Sequence, residues 1–388
     1  MKAVWSLALV MLACLMIVGR PVVAHAQGAT ADPMRVAMQR IVDDFNNNNL
    51  DSLVAAVDQE SMLESIFEDR LISQSVRSQF RGSFAGRLEQ MFVSAFPATD
   101  QEILGRIVGF KRNGDRATCV VRYDLPRYQF MYHEFQLRSG RGNGVVIEDW
   151  IDFNSGEQFT DSVGDSLVMA LPGQSETRAL LSPVQLDESQ LFQVSELLKS
   201  ARDKKAKRYF EILDGLGDRI KTHHVIALTS VHVAQQGRDG LKYRAALTTL
   251  AENYANEPLF ATMLLDYYLP NGDFDSAMQA MRGLGNRLVE PDAALKSRMA
   301  TLALILGNTE EADAYAESAV EIEPELELAW WAALRTRTAQ EKYAEAVQAL
   351  TVLERQFGHK LRTTALENDS NLAVLLETDE FKAWSAPQ

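Results

Sequence analysis

Cysteine is scarce in this chain of 388 residues, with only Cys14 and Cys119 present. Cys14 falls inside an N-terminal segment expected to be removed, and one remaining cysteine cannot form an internal disulfide. The fold must therefore be held by a hydrophobic core, which a chain of this length can build. Cys119 itself reads as a small buried hydrophobe. Long apolar runs are also missing beyond the N-terminus, where residues 3–18 give a stretch of 16. That is short of the ~20 residues needed to cross a bilayer, so no transmembrane span is expected in the mature chain. Positive charge is in deficit, with 39 Lys and Arg against 53 Asp and Glu and a net charge of -14. Phosphate backbones and anionic lipid repel such a molecule, so nucleic acid is not an expected partner. Metal and cofactor signatures are lacking too. His223, His224 and His232 have neither the i,i+4 spacing nor a matching carboxylate helix. The glycine run SGRGNG (139–144) leads into a strand instead of a helix and reads as a turn, not a phosphate loop.

What is present begins with an export signal. Lys2, the apolar run and the small-x-small site Ala24-His25-Ala26 predict a signal peptide over 1–26 with cleavage after Ala26, and a periplasmic or secreted protein. Met11-Leu12-Ala13-Cys14 offers the alternative of lipidation at Cys14.

Residues 307–334, GNTEEADAYAESAVEIEPELELAWWAAL, hold eight acids and no Lys or Arg. The stretch is one unit of something periodic. Pro258, Pro291 and Pro324 are spaced by 33 and 33, while Gly272, Gly307 and Glu341 are spaced by 35 and 34. Each of the latter opens a similar phrase (GDFDSA, GNTEEA, EKYAEA), closed by Ala277, Ala312 and Ala346. Between them apolar residues recur at helical spacing. The pattern resembles the tetratricopeptide repeat, a helix-turn-helix unit of about 34 residues. The resemblance places packing positions at Tyr268, Gly272, Ala277, Ala300, Gly307, Ala312, Ala319, Pro324, Trp330, Tyr343 and Ala346. An earlier, looser unit offers Ala234, Tyr243, Ala246 and Pro258. Alanine lets helices approach closely, aromatics fill the wedge between them, and proline stops the second helix. The stretch then predicts a helix over 309–322, a break at Pro324, and a further helix from Leu326, with the acids facing solvent or forming an acidic docking surface. About five hairpins fit between Glu188 and Gln356, closed by a cap carrying Leu375, Phe381 and Trp384. Some members of the family clamp a partner's C-terminal carboxylate with Lys and Asn; here Thr262, Asp266, Ser297 and Thr301 stand in those places, so that clamp is absent. The basic cluster around Lys204 and Arg208 reads as surface charge.

The N-terminal half has another texture. Asp32-Pro33 opens a helical region reaching about Phe96. Strand patterns follow: RIVGFKR and RATCVVRYDL about the turn Asn113-Gly114, then YQFMYHEFQLR and VVIEDWIDF. Helices followed by a curved four-stranded antiparallel meander resemble the NTF2-like (cystatin-like) α+β fold, which implies a cone with a pocket. If Leu137 opposes Val145, His133 opposes Asp149, giving a candidate acid/base or ligand pair in that cone. A structural ion pair is the other reading. No other catalytic residue is expected.

The chain thus predicts an α+β N-terminal domain (27–170), a linker (171–188) and an all-α repeat region with its cap (189–388). The expected function is an exported, non-enzymatic scaffold or adaptor that receives another envelope protein in the repeat groove. The alternative is a ligand-binding or acid/base domain centred on His133 and Asp149 and tethered to the repeats. Homodimerisation through an exposed sheet face fits either.

Overall fold

The computed structural model describes residues 32–386 apart from 69, 71, 97–98, 100, 171–176, 179, 183, 362–365 and 367–368. The expected signal peptide, its cleavage site and part of the expected linker lie outside the described residues.

Asp32 caps the first helix, its carboxylate accepting from the Met34 N–H at 2.8 Å, and Pro33 sits in the first turn, where no N–H is needed. Five helices follow one another: α1 (Pro33–Asn46), α2 (Asp51–Ala56), α3 (Gln59–Phe67), α4 (Gln74–Phe84) and α5 (Leu88–Val93). Their apolar stripes, including Met38, Ile66, Phe84 and Phe92, pack onto one face of a sheet.

The sheet runs in the order β1 (Leu104–Asn113), β2 (Arg116–Leu125), β3 (Gln129–Ser139), β4 (Val145–Asp152) and β5 (Glu157–Gln158), all antiparallel. Gly114, at φ +67°, makes the turn read from Asn113-Gly114. SGRGNG is likewise a turn, a 3-10 turn at Arg141–Asn143 joining β3 to β4. The two-residue β5, absent from the expected meander of four, extends the sheet to five strands. α6 (Phe159–Ala170) leaves β5 directly and returns across the sheet end. Leu181 and Leu186, inside the expected linker, are buried against the helices that follow.

The elements that follow are, among the described residues, all helical. Five hairpins succeed each other: α7 (Glu188–Arg202) with α8 (Ala206–Asp214); then, after the short α9 (Asp218–Lys221), α10 (His224–Gln236) with α11 (Gly240–Tyr254). α12 (Ala261–Tyr268) pairs with α13 (Phe274–Arg287), α14 (Ala293–Ile305) with α15 (Thr309–Ile322), and α16 (Glu327–Ala339) with α17 (Tyr343–Phe357). α18 (Ala373–Leu376) and α19 (Asp379–Ser385) close the end, with Leu375 buried and the Trp384 indole donating to Thr351 Oγ1 at 3.0 Å.

One backbone device recurs in every hairpin. Lys204, Arg238, Gly272, Gly307 and Glu341 all take φ between +53° and +79°, at intervals of about 34 residues. The next N–H in each case reaches the carbonyl five residues back: Lys205 to Ser200, Asp239 to Ala234, Asp273 to Tyr268, Asn308 to Ala303 and Lys342 to Arg337. This is the left-handed helix stop that caps orphan carbonyls. Ala277, Ala300, Ala312, Ala319 and Ala346 are wholly buried at helix crossings, and Tyr268 is buried beside them. Trp330 and Tyr343 are partly buried, and exposed Pro324 accepts the Trp330 indole N–H at 2.7 Å.

The sheet is buried on both faces. Ala117, Cys119, Val121 and Tyr123 of β2 point at the N-terminal helices, while Val120 points the other way, joined by Tyr132, Ile151 and Phe153. These four share one continuous apolar cluster with Phe260, Leu264, Leu295 and Met299 of the helical half. The sheet face expected to be free for homodimerisation is therefore occupied by the chain's own helices. So is part of the wall expected to receive another protein.

Candidate functional site

The proposed partner of His133 is not where the sequence register placed it. β3 and β4 pair Ser139 with Val145 and Leu137 with Ile147, in place of the expected Leu137–Val145 pairing, and a bulge at Glu148 then sets Gln136 against Asp149. The extra residue rotates the rest of β4 by one position, so that His133 faces Asp152 and Phe135 faces Trp150. His133 points into the cone among the rings of Phe92, Phe96, Tyr123 and Phe135, with centroids 5.0–6.0 Å away. Asp149 lies on the opposite sheet face, beside Gln136. No His133–Asp149 pair exists in this fold.

Each residue has a different task. The Asp149 carboxylate accepts from Thr160 Oγ1 at 2.5 Å, from the Trp150 N–H at 2.8 Å and from the Thr160 N–H at 3.3 Å. It pins the start of α6 to the sheet, and its burial raises its pKa to about 6. His133 is fully buried, and neither ring nitrogen has a hydrogen-bond partner. Desolvation drives its pKa down to about 3, so the imidazole is neutral. Its Nε2 lies 3.9 Å from Asp152 Oδ1, too far for a hydrogen bond. Cys119 is buried and free, its thiol pushed up to about 12 by burial, which makes it a packing group and no nucleophile.

Asp152 opens instead onto a cavity of about 990 Å³ whose walls come from both halves of the molecule. The cone contributes Phe92, Phe96, Trp150 and Phe159; the helical half contributes Tyr243, Thr262, Asp266 and Arg298. Trp150 and Phe159 stack at 4.0 Å. Thr262 and Asp266, read from the sequence as empty clamp positions, serve the chain itself. Thr262 Oγ1 donates to the Phe153 carbonyl at 3.0 Å, and Asp266 accepts from the Tyr243 hydroxyl at 2.8 Å. Arg298 donates to the Tyr128 carbonyl at 2.8 Å and lies over the Phe130 ring. It has no ion-pair partner among the described residues.

A charged seam beside the cavity ties the halves together, and the sequence reading missed it. Arg122 alternates with apolar residues on β2 and so reads as solvent-facing, yet it is wholly buried. It donates to Asp124 at 2.7 and 3.1 Å, to Asp292 at 2.7 Å and to Glu323 at 2.9 Å. Asp292 also accepts from the Tyr132 hydroxyl at 2.7 Å while capping α14 through the Leu295 N–H at 2.8 Å. Arg106 bridges Glu323 at 3.1 Å and Glu325 at 2.7 Å. The acids of 307–334 are thus not uniformly solvent-facing. Glu323 is buried, and Glu311, Asp313 and Glu327 bond to Arg282, Lys342 and Tyr128.

No group of three or more metal-ligating side chains occurs among the described residues, and no helix among them is long and apolar enough to cross a membrane. Comparison with protein-family models, with characterised proteins and with solved structures finds no match to this chain.

Proposed function

We propose that this protein is a non-catalytic binding protein whose ligand site is the cavity between the cone and the helical hairpins. One observation carries the reading: a cavity of about 990 Å³ lined by both halves, at the upper end of the size range of small-ligand pockets. On this view the hairpins, which resemble tetratricopeptide repeats, turn their inner wall toward the molecule's own NTF2-like sheet, and close a pocket instead of a groove for another protein. The adaptor reading loses its surface over α12 and α14, where Phe260, Leu264 and Leu295 already pack against the sheet. An acid/base reading loses its pair, because Asp149 and His133 are on opposite faces. Export, expected from the N-terminal segment, would put the ligand in the cell envelope.

The test is titration with the neutral, environment-sensitive dye Nile red. The parent protein is expected to bind it saturably, quenching or shifting Trp150 emission. Ala95→Trp and Ser166→Trp, which fill the cavity from two walls, are expected to abolish binding while leaving the circular dichroism unchanged. Dye binding that survives both fillings would overturn the reading.

A further inference from the structure

At the aromatic end of the cavity the hairpin between β4 and β5 sets two carboxylates against each other. Asp152 and Glu157 are direct cross-strand partners, so their side chains share one face, and both line the cavity. Like charges directly opposite each other destabilise a sheet. Here the pair is also largely shielded from water, and among the described residues neither acid has a Lys or Arg within ion-pair distance. Asp152 receives one backbone hydrogen bond, from the Asn154 N–H at 2.8 Å. The nearest basic side chain, His133, aims Nε2 at Asp152, yet it is caged by rings and uncharged, with both nitrogens unpartnered. Other buried carboxylates among the described residues are answered by cations or by several donors: Asp292 and Glu323 by Arg122, Asp165 by Arg70, and Asp149 by the Thr160 hydroxyl and two backbone N–H groups. An unanswered pair facing a cavity is the exception. Beside it stand the rings of Trp150, Phe159, Phe92 and Phe96, an aromatic lining that suits a ligand with an apolar body.

We propose that Asp152 and Glu157 are the counter-ions for an organic ammonium ligand, whose charged head lies between the two carboxylates and whose apolar body packs on the aromatic wall. An ammonium group has donors only, and the two carboxylates offer acceptors only, so the hydrogen bonding is complementary. A hydrated metal ion would find two carboxylates, fewer protein ligands than a calcium or zinc site requires. Arg298, also in the lining, pairs with neither acid and is held by the Tyr128 carbonyl and the Phe130 ring. The proposal rests on the cavity being a ligand site and adds the chemical class.

The experiment is calorimetric titration of the full chain at pH 8 with 2-phenylethylamine, 2-phenylethanol, 3-phenylpropionate and calcium chloride, each alone. The amine is expected to bind at least about tenfold more tightly than the alcohol, since a hydrogen bond to a charged group contributes well over 1 kcal/mol. Asp152→Asn and Glu157→Gln are each expected to remove about that factor. Both variants are expected to melt no lower than the parent, because each relieves a like-charge contact. Equal binding of the alcohol, preference for the propionate, binding of calcium without the amine, or unchanged amine affinity in both variants would overturn the assignment. If Nile red binds and the amine does not, only the ligand class fails; if neither binds, the cavity reading fails with it.

Discussion

Replacing Arg122 with methionine tests whether the two halves form one cooperative body. The substitution keeps the aliphatic volume and removes the charge, leaving Asp292 and Glu323 with side chains 0% and 5% exposed and their principal cation gone. Breaking a buried ion pair from one side costs about 3–5 kcal/mol, because the abandoned charge stays desolvated or must take up a proton. Asp292 retains the Tyr132 hydroxyl and the Leu295 N–H, and Glu323 retains Arg106, so the lower half of that range is expected. Asp292→Asn provides the second corner of a double-mutant cycle, since asparagine still caps α14 but carries no charge. The cycle should give a coupling of about 1–3 kcal/mol between positions 122 and 292. The assay is urea unfolding followed by tryptophan fluorescence and far-ultraviolet circular dichroism in parallel. The parent is expected to unfold with coincident transitions, and Arg122→Met with an earlier midpoint that separates the two probes. A midpoint shift worth less than about 1 kcal/mol, or a coupling near zero, would show that the seam is dispensable and the reasoning wrong.

Four further outcomes follow from single sites. Gly156 has φ +71°, and a Cβ there would meet the Phe260 ring at 2.2 Å; Gly156→Ala should lower stability by about 2–3 kcal/mol in thermal unfolding. Thr160→Val removes the 2.5 Å donor to buried Asp149, and should cost about 1–3 kcal/mol, with faster hydrogen exchange confined to the first turns of α6. Glu157 titrates near 7 because burial, then Asp165, Asp161 and Asp152, oppose its charge, against the Ser162 hydrogen bond. A raised carboxyl pKa means stability is greatest below the unfolded value near 4.5 and falls as pH rises through 7, so Glu157→Gln should gain on the parent between pH 5 and 8 and match it at pH 4. His133 has the opposite sign: with its pKa lowered from 6.5 to about 3, the parent loses stability on acidification through that window, and His133→Leu should flatten that limb of the melting curve.

The repeat was legible because its marks are local. Alanine at a helix crossing and glycine at a left-handed stop are required by sterics, so they recur wherever the geometry does. The acidic stretch 307–334 was read to its helix bounds, 309–322, for the same reason. The first two hairpins were harder to see, since Lys204 and Arg238 occupy the left-handed position that Gly272 and Gly307 hold later. An exposed non-glycine residue is tolerated there at modest cost, and the sequence mark vanishes while the backbone mark persists. The register of β4 was not legible at all. Glu148 lies in a run, VVIEDWIDF, whose alternation looks continuous, and only the structure shows that one residue is extra. That single bulge moved Asp149 out of the cone and brought Asp152 in.

The acidic stretch, read alone, offered a choice between a solvated face and a docking surface for a basic partner. Its ion pairs support a third answer, in which the basic partner is the chain's own sheet. Glu323 and Glu325, flanking the proline break, receive Arg106 and Arg122 from neighbouring strands, and Glu290, just before Pro291, pairs with Arg35 and accepts the Phe110 N–H. Acids beside the proline breaks of successive hairpins therefore dock on the sheet side from the segments that lead into α14 and α16. Asp292, the N-cap of α14, and Glu327, in the first turn of α16, also suit the positive ends of their helices, whereas Glu323 sits at the C-terminal end of α15 and gains only from its arginines. Alternation on β2 hides the other side of the seam, because Arg122 takes the position where a solvated strand would place a lysine or arginine. Neither half of such an interface can be read from its own segment: the acids look like helix punctuation and the arginine looks like surface. What distinguishes them is burial, which exists only once the two halves meet.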